Sequence, residues 1–127
     1  MSRTETNNPA TVFVVEDDAC LREALVMLIE SAGFEAESWH SAEAFLQGFN
    51  CQRRGCLLLD IELPGMNGIE LAKKLNQDQV RLPIILLSGR GDLLEAARAA
   101  NLSDLHVMSK PFHNSELLYL LTQAMGG

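Results

Sequence analysis

The chain has 127 residues, 47% of them hydrophobic and 21% charged, the size and composition of one globular domain with a real apolar core. A net charge of −7 argues against direct nucleic-acid binding, because neutralising phosphates takes a basic face. No apolar run is long enough to span a bilayer and Met1 to Pro9 has no apolar signal core, so no membrane role and a cytoplasmic location are expected.

Met1 to Ala10 is polar and reads as a disordered leader, with residues 11–127 as the domain. Thr11 to Val15 is β-branched and aromatic, a strand that stops at Glu16-Asp17-Asp18. Leu21, Leu25, Leu28, Ile29 and Ala32 repeat at helical spacing, with Asp18 as the cap and Gly33 as the terminator. Phe34 to Trp39 alternates like an edge strand, and Ser41 is placed to cap a helix from Ala42 to about Phe49. Arg53 and Arg54 read as solvated loop charges. Cys56 to Leu59 is a continuous apolar run, a strand buried on both faces, and it ends abruptly in Asp60. After the turn signals Pro64-Gly65 and Asn67-Gly68 a third helix runs to about Gln77. Leu82 to Leu87 is another buried strand, ending in Ser88-Gly89, and Asp92 is expected to cap a helix through Ala100. Leu105 to Met108 is a short last strand, closing on Ser109-Lys110-Pro111-Phe112, and Ser115 to Met125 is the final helix. Cys20, Cys51 and Cys56 are odd in number and lack Cys-x-x-Cys spacing, which favours reduced thiols.

Five strands alternating with five helices imply right-handed βαβ units on a parallel sheet, and the length points to a flavodoxin-like strand order 2-1-3-4-5. That order makes the first and third strands neighbours, so Glu16, Asp17 and Asp60 share one rim, with Ser88 and Lys110 ending the next two strands. Three converging carboxylates repel unless a cation joins them, and oxygen donors of this kind suit Mg²⁺, with Mn²⁺ as a substitute. A carboxylate is also a competent nucleophile for phosphorus. Ser88 and Lys110 would supply a hydroxyl and an ammonium to the phosphoryl oxygens. Phosphoryl transfer needs mainly positioning and charge neutralisation.

From about Thr11 to Met125 the sequence resembles the receiver domain of two-component response regulators. The carriers are Val14-Val15-Glu16-Asp17-Asp18, Leu59-Asp60-Ile61-Glu62-Leu63-Pro64-Gly65-Met66-Asn67-Gly68, Leu87-Ser88-Gly89 and Lys110-Pro111-Phe112, each weak alone and specific in this order. The later half is most similar to regulators of the nitrogen-fixation and nitrate-response type. The resemblance implies that Asp60 accepts phosphate from a phosphohistidine on a sensor histidine kinase or phosphotransfer protein. It implies Mg²⁺ bound by Asp17 and Asp60, by Glu16 through water and by the backbone carbonyl of Glu62. It places Ser88 at the switch hydroxyl and Lys110 against the phosphoryl, with a cis bond before Pro111. It also implies a C-terminal output domain of a transcriptional regulator, or a homodimer through the fourth helix, last strand and last helix.

Three positions depart from the family pattern or vary within it. Val107 stands where an aromatic switch residue is usual, and His106 precedes it; packing for the valine and solvation for the histidine are the expectations. Glu62 and Arg90 hold the positions that tune acyl-phosphate lifetime, and opposite charges there are expected to pair across the mouth of the site. Trp39 is expected to pack and His40 to be solvated; His113, near the start of the last helix where the dipole disfavours its cation, is assigned no function. The competing readings are a dehalogenase-type aspartyl-phosphate hydrolase, a flavodoxin-like cofactor binder, and a stand-alone receiver that signals without phosphate. The first lacks the usual second Asp, with Glu62 there instead; the second lacks a Ser/Thr/Gly-rich loop after the first strand.

Overall fold

Alternation along each strand decides which side chain goes to which face of the sheet. The computed structural model describes residues 10–126. Its elements are β1 (Thr11–Val15), α1 (Ala19–Ser31), β2 (Glu35–Trp39), α2 (Ala42–Gly48), β3 (Gly55–Asp60), α3 (Gly68–Gln77), β4 (Ile84–Ser88), α4 (Gly91–Ala99), β5 (Leu105–Ser109) and α5 (Asn114–Ala124). The sheet is parallel, in the order β2-β1-β3-β4-β5. The expected leader, Ala10 apart, lies outside the described residues.

Val12, Val14, Leu58, Ile85 and Leu87 point to one face, where α1 and α5 cover them with Leu25, Ile29, Leu117 and Leu121. Phe13, Val15, Leu57, Leu59 and Leu86 point to the other, against Phe45 of α2, Leu71 and Leu75 of α3, and Leu94 of α4. Each fully buried leucine or phenylalanine contributes roughly 1.5–3 kcal/mol by transfer from water. β2 is an edge strand and its residues are at least partly exposed, as its alternation suggested. Trp39 packs as expected, with its ring edge-on to Phe45 at 5.1 Å and tilted to Phe13 at 6.0 Å.

Helix starts follow local chemistry. Asp18 Oδ1 accepts from the amides of Cys20 and Leu21, Ser41 Oγ accepts from Ala44, and Asn67 and Glu70 form a reciprocal capping box. Asp92 is not the cap of α4. Arg90 is the capping residue, in extended conformation and without a side-chain cap bond. Asp92 therefore falls in the first turn, where its charge still meets the positive helix end and pairs with the Arg90 guanidinium at 2.7 Å. β4 begins two residues later than its apolar run suggested, after Pro83, which has no amide to donate to a ladder.

Arg53 is not a solvated loop charge. It donates to Glu37 at 2.7 Å and to Thr11 Oγ1 at 3.1 Å, and its guanidinium lies 5.2 Å from the centre of the Phe13 ring. The loop thereby folds back across the amino end of β1 to the middle of β2.

Candidate functional site

Register gathers the site. Val15 is paired with Leu59, so Glu16 leaves β1 beside Asp60, the last residue of β3. Asp60 is paired with Leu87, which sets Ser88 one residue further along β4. Ser88 is paired with Ser109, and the Lys110 amide donates to the Ser88 carbonyl at 2.9 Å. All the predicted site residues at strand ends therefore meet at the carboxyl rim, where open α/β sheets bind ligands.

Glu16, Asp60 and Ser88 are buried, at 2%, 5% and 0% exposure, whereas Asp17 is exposed. One carboxylate oxygen from each of Glu16, Asp17 and Asp60 lies within 4.8 Å of the others. Lys110 Nζ reaches Asp60 Oδ2 at 3.2 Å and Glu16 Oε1 at 3.5 Å. Asp60 Oδ1 accepts from the Glu62 amide at 3.1 Å, and Glu16 Oε2 from the Asp18 amide at 3.1 Å. Arg22, one turn into α1, donates to the Glu16 carbonyl at 2.8 Å. The Lys110–Pro111 bond is cis.

The acids are under electrostatic stress. Burial pushes the Glu16 carboxyl up to about 7; the Asp18 amide opposes this, Asp60 adds to it, and Lys110 opposes it. Burial works to lower the Lys110 pKa, but the charges of Asp60 and Glu16 outweigh it and raise the value. Glu16 Oε1 is buried without a hydrogen-bond partner. A hard divalent cation fits this donor set. It would meet an all-oxygen cluster, offset the repulsion and add a second positive neighbour to Glu16 Oε1 beside the Lys110 ammonium at 3.5 Å. Asp17, Asp60 and Glu16 are the side chains that could hold it, with the Glu62 carbonyl on the adjoining loop.

Not every expected pairing forms. Arg90 is engaged by Asp92, through bonds of 3.2 and 2.7 Å, because the two share the α4 start and need no reach across the site. Glu62 Oε1 instead lies 3.5 Å from Ser88 Oγ, within donating distance of the hydroxyl, which also accepts from the Arg90 amide at 3.0 Å. Val107 packs half-buried against the cluster that includes Leu86 and Leu94, and His106 is exposed. Asp18 serves as a helix cap. Sequence reasoning missed the Ser88–Glu62 contact and the role of Arg22; only their placement near strand ends hinted at either.

Comparison with known proteins agrees with this geometry. A family model described as the response regulator receiver domain matches residues 12–122. The transcriptional regulatory protein FixJ of Bradyrhizobium diazoefficiens is 34% identical over 114 residues, which cover 90% of this chain and 56% of FixJ. Nodulation protein W of the same organism is 38% identical over 115 residues, covering 91% of this chain and 51% of that protein. A solved structure of the response regulator StyR superposes with a TM-score of 0.86 at 38% identity, covering 93% of this chain and 60% of that one. The chain thus spans about half the length of the curated relatives it matches. Among the described residues no helix is long and apolar enough to cross a membrane. By fold, rim and family match together, this chain belongs to the receiver domains of two-component response regulators.

Proposed function

We propose that Asp60 accepts a phosphoryl group from a phosphohistidine on a partner sensor kinase or phosphotransfer protein. The observation that carries this reading is one buried carboxylate with an ammonium at 3.2 Å and two further acids within 4.8 Å. An Asp60 oxygen attacks phosphorus, the phosphorus–nitrogen bond breaks, and the departing imidazole nitrogen keeps the electron pair and takes a proton from solvent. The product is an acyl phosphate on Asp60. Asp17, Asp60, Glu16 through water and the Glu62 carbonyl would hold Mg²⁺ or Mn²⁺, which when bound would supply positive charge against the repulsion between a phosphoryl group and three acids. Lys110 exchanges the Asp60 carboxylate for a phosphoryl oxygen, and the Ser88 hydroxyl leaves Glu62 for another.

The added charge, roughly −1.5 to −2, biases the face built from α4, β5 and α5. Val107 has no ring to rotate, so the link runs through Ser88, whose hydroxyl holds the Arg90 amide at the start of α4. Glu62 and Arg90 tune the lifetime of the acyl phosphate through separate contacts rather than as a pair. The chain is a phosphoacceptor in the cytoplasm rather than an enzyme that turns over. In the manner of its FixJ-type relatives it regulates a transcriptional output domain, or a second copy of itself. Incubation with acetyl phosphate should label the wild type only with Mg²⁺ present and should leave Asp60→Asn unlabelled. Metal-independent labelling, or equal labelling of Asp60→Asn, would refute the reading.

A further inference from the structure

The segment from Ile61 to Asn67 joins the phosphoacceptor strand to α3 and carries Glu62. Its ends are tied locally: the Leu63 and Gly68 amides both donate to the Ile61 carbonyl, at 3.0 and 2.9 Å, and Asn67 belongs to the capping box. Gly68 packs so closely that a β-carbon there would lie 2.5 Å from the Asp60 carbonyl oxygen. The middle of the segment, Pro64 to Met66, has a different anchor. Glu43, in the first turn of α2, extends its carboxylate across and accepts from the Met66 amide at 2.8 Å. Among the described residues this is the hydrogen bond that joins Pro64–Met66 to another element. Gly65 adopts φ +74, and a β-carbon on it would stand 2.6 Å from Glu43 Oε2. The turn is thus shaped to lie directly under this carboxylate.

We infer that Glu43 is a positioning residue for the rim: it clamps the β3–α3 segment so that Glu62 presents its carbonyl to the cation site and its carboxylate to Ser88. The inference rests on the phosphoacceptor reading above and adds a residue from an element that touches neither the cation nor the phosphoryl group. The Met66 amide also holds the Glu43 carboxyl below its ordinary value, as a bond accepted by the charged form does. Residues that orient ligands from behind are worth roughly tenfold or more in metal affinity; for one exposed hydrogen bond the lower end applies.

The test uses the intact chain and two readouts. One is Mg²⁺ titration followed by the fluorescence of the single tryptophan, Trp39, whose carbonyl accepts from the Glu16 amide beside the acid cluster. The other is the Mg²⁺ concentration at half-maximal labelling by acetyl phosphate. Glu43→Ala should raise both midpoints by about 3- to 10-fold and speed hydrogen exchange at the Met66 amide. Glu43→Gln keeps an acceptor oxygen and should stay within about twofold of wild type. Ser41→Ala removes the α2 cap bond, so it should lower the melting temperature and leave the Mg²⁺ midpoint unchanged. Unchanged midpoints in Glu43→Ala, or an equal rise in Ser41→Ala, would overturn the inference while leaving the phosphoacceptor reading intact. A wild type that neither binds Mg²⁺ nor labels would overturn both.

Discussion

The two ends of one sheet are built on opposite principles. At the amino end, charge is matched: Arg53 meets Glu37, the Thr11 hydroxyl and the Phe13 ring at once. A cleft of about 450 Å³ opens there between the end of α3, the start of β4 and the loop before β5, far from the acids. At the carboxyl end, two acids are buried and a third stands beside them, with one ammonium between them and one buried oxygen, Glu16 Oε1, that accepts no hydrogen bond and has that ammonium at 3.5 Å. The Arg53 cluster at the amino end is internally paired. The carboxyl end is left short of positive charge, and that shortage is what a bound cation would offset.

The contrast fixes the sign of two substitutions, of which the amino-end one should be larger. Arg53→Ala removes a partly exposed ion pair, a hydrogen bond and a cation–π contact. Together they should cost about 2 kcal/mol in denaturant unfolding, the same in Mg²⁺ and in chelator. If the loss vanished, Arg53 would be the solvated charge its loop position suggested, and the two ends would not differ in kind.

Asp60→Asn should act in the opposite direction. Deleting one of three crowded acids relieves repulsion on the buried Glu16, so the metal-free protein should gain about 1 kcal/mol. Mg²⁺ should stabilise the wild type and do much less for the variant. Comparing unfolding midpoints of both proteins in chelator and in Mg²⁺ reads this out, and a destabilised Asp60→Asn in chelator would break the comparison.

The same contrast explains what could be read from the chain alone. Glu16, Asp60 and Ser88 were legible because each ends or follows a buried apolar run, Lys110 because it follows the short last strand, and parallel topology delivers all strand ends to one rim. Strand order followed from the alternation of five strands with five helices and from the chain length. Contacts set by the path of a loop were not legible. Glu43 and Met66 are 23 residues apart, Arg53 and Glu37 are 16 apart, and nothing local marks either pair. Glu62 and Arg90 looked like partners because both carry opposite charge at the mouth. Asp92, two residues from Arg90, was the nearer acceptor and took the guanidinium.

The smallest expected effect concerns the thiols, which separate the interior of the sheet from both of its ends. Cys56 lies at the start of β3 with no exposed surface, and burial pushes its thiol up to about 12. Cys20 and Cys51 are exposed. At pH 8 Cys56 is held as the thiol, and the thiolate is the form that reacts with an alkylating reagent. An alkylating reagent should therefore modify Cys20 and Cys51 in the native protein and reach Cys56 only through unfolding. Cys56 labelling should then accelerate in Arg53→Ala, whose unfolded population is larger, and slow in chelator-treated Asp60→Asn, whose unfolded population is smaller. Mass spectrometry of the three thiols over time would read both signs in one experiment. Equal native labelling of Cys56 in all three proteins would mean that the strand opens locally, without the rest of the sheet, and that its two ends are not parts of one cooperative unit.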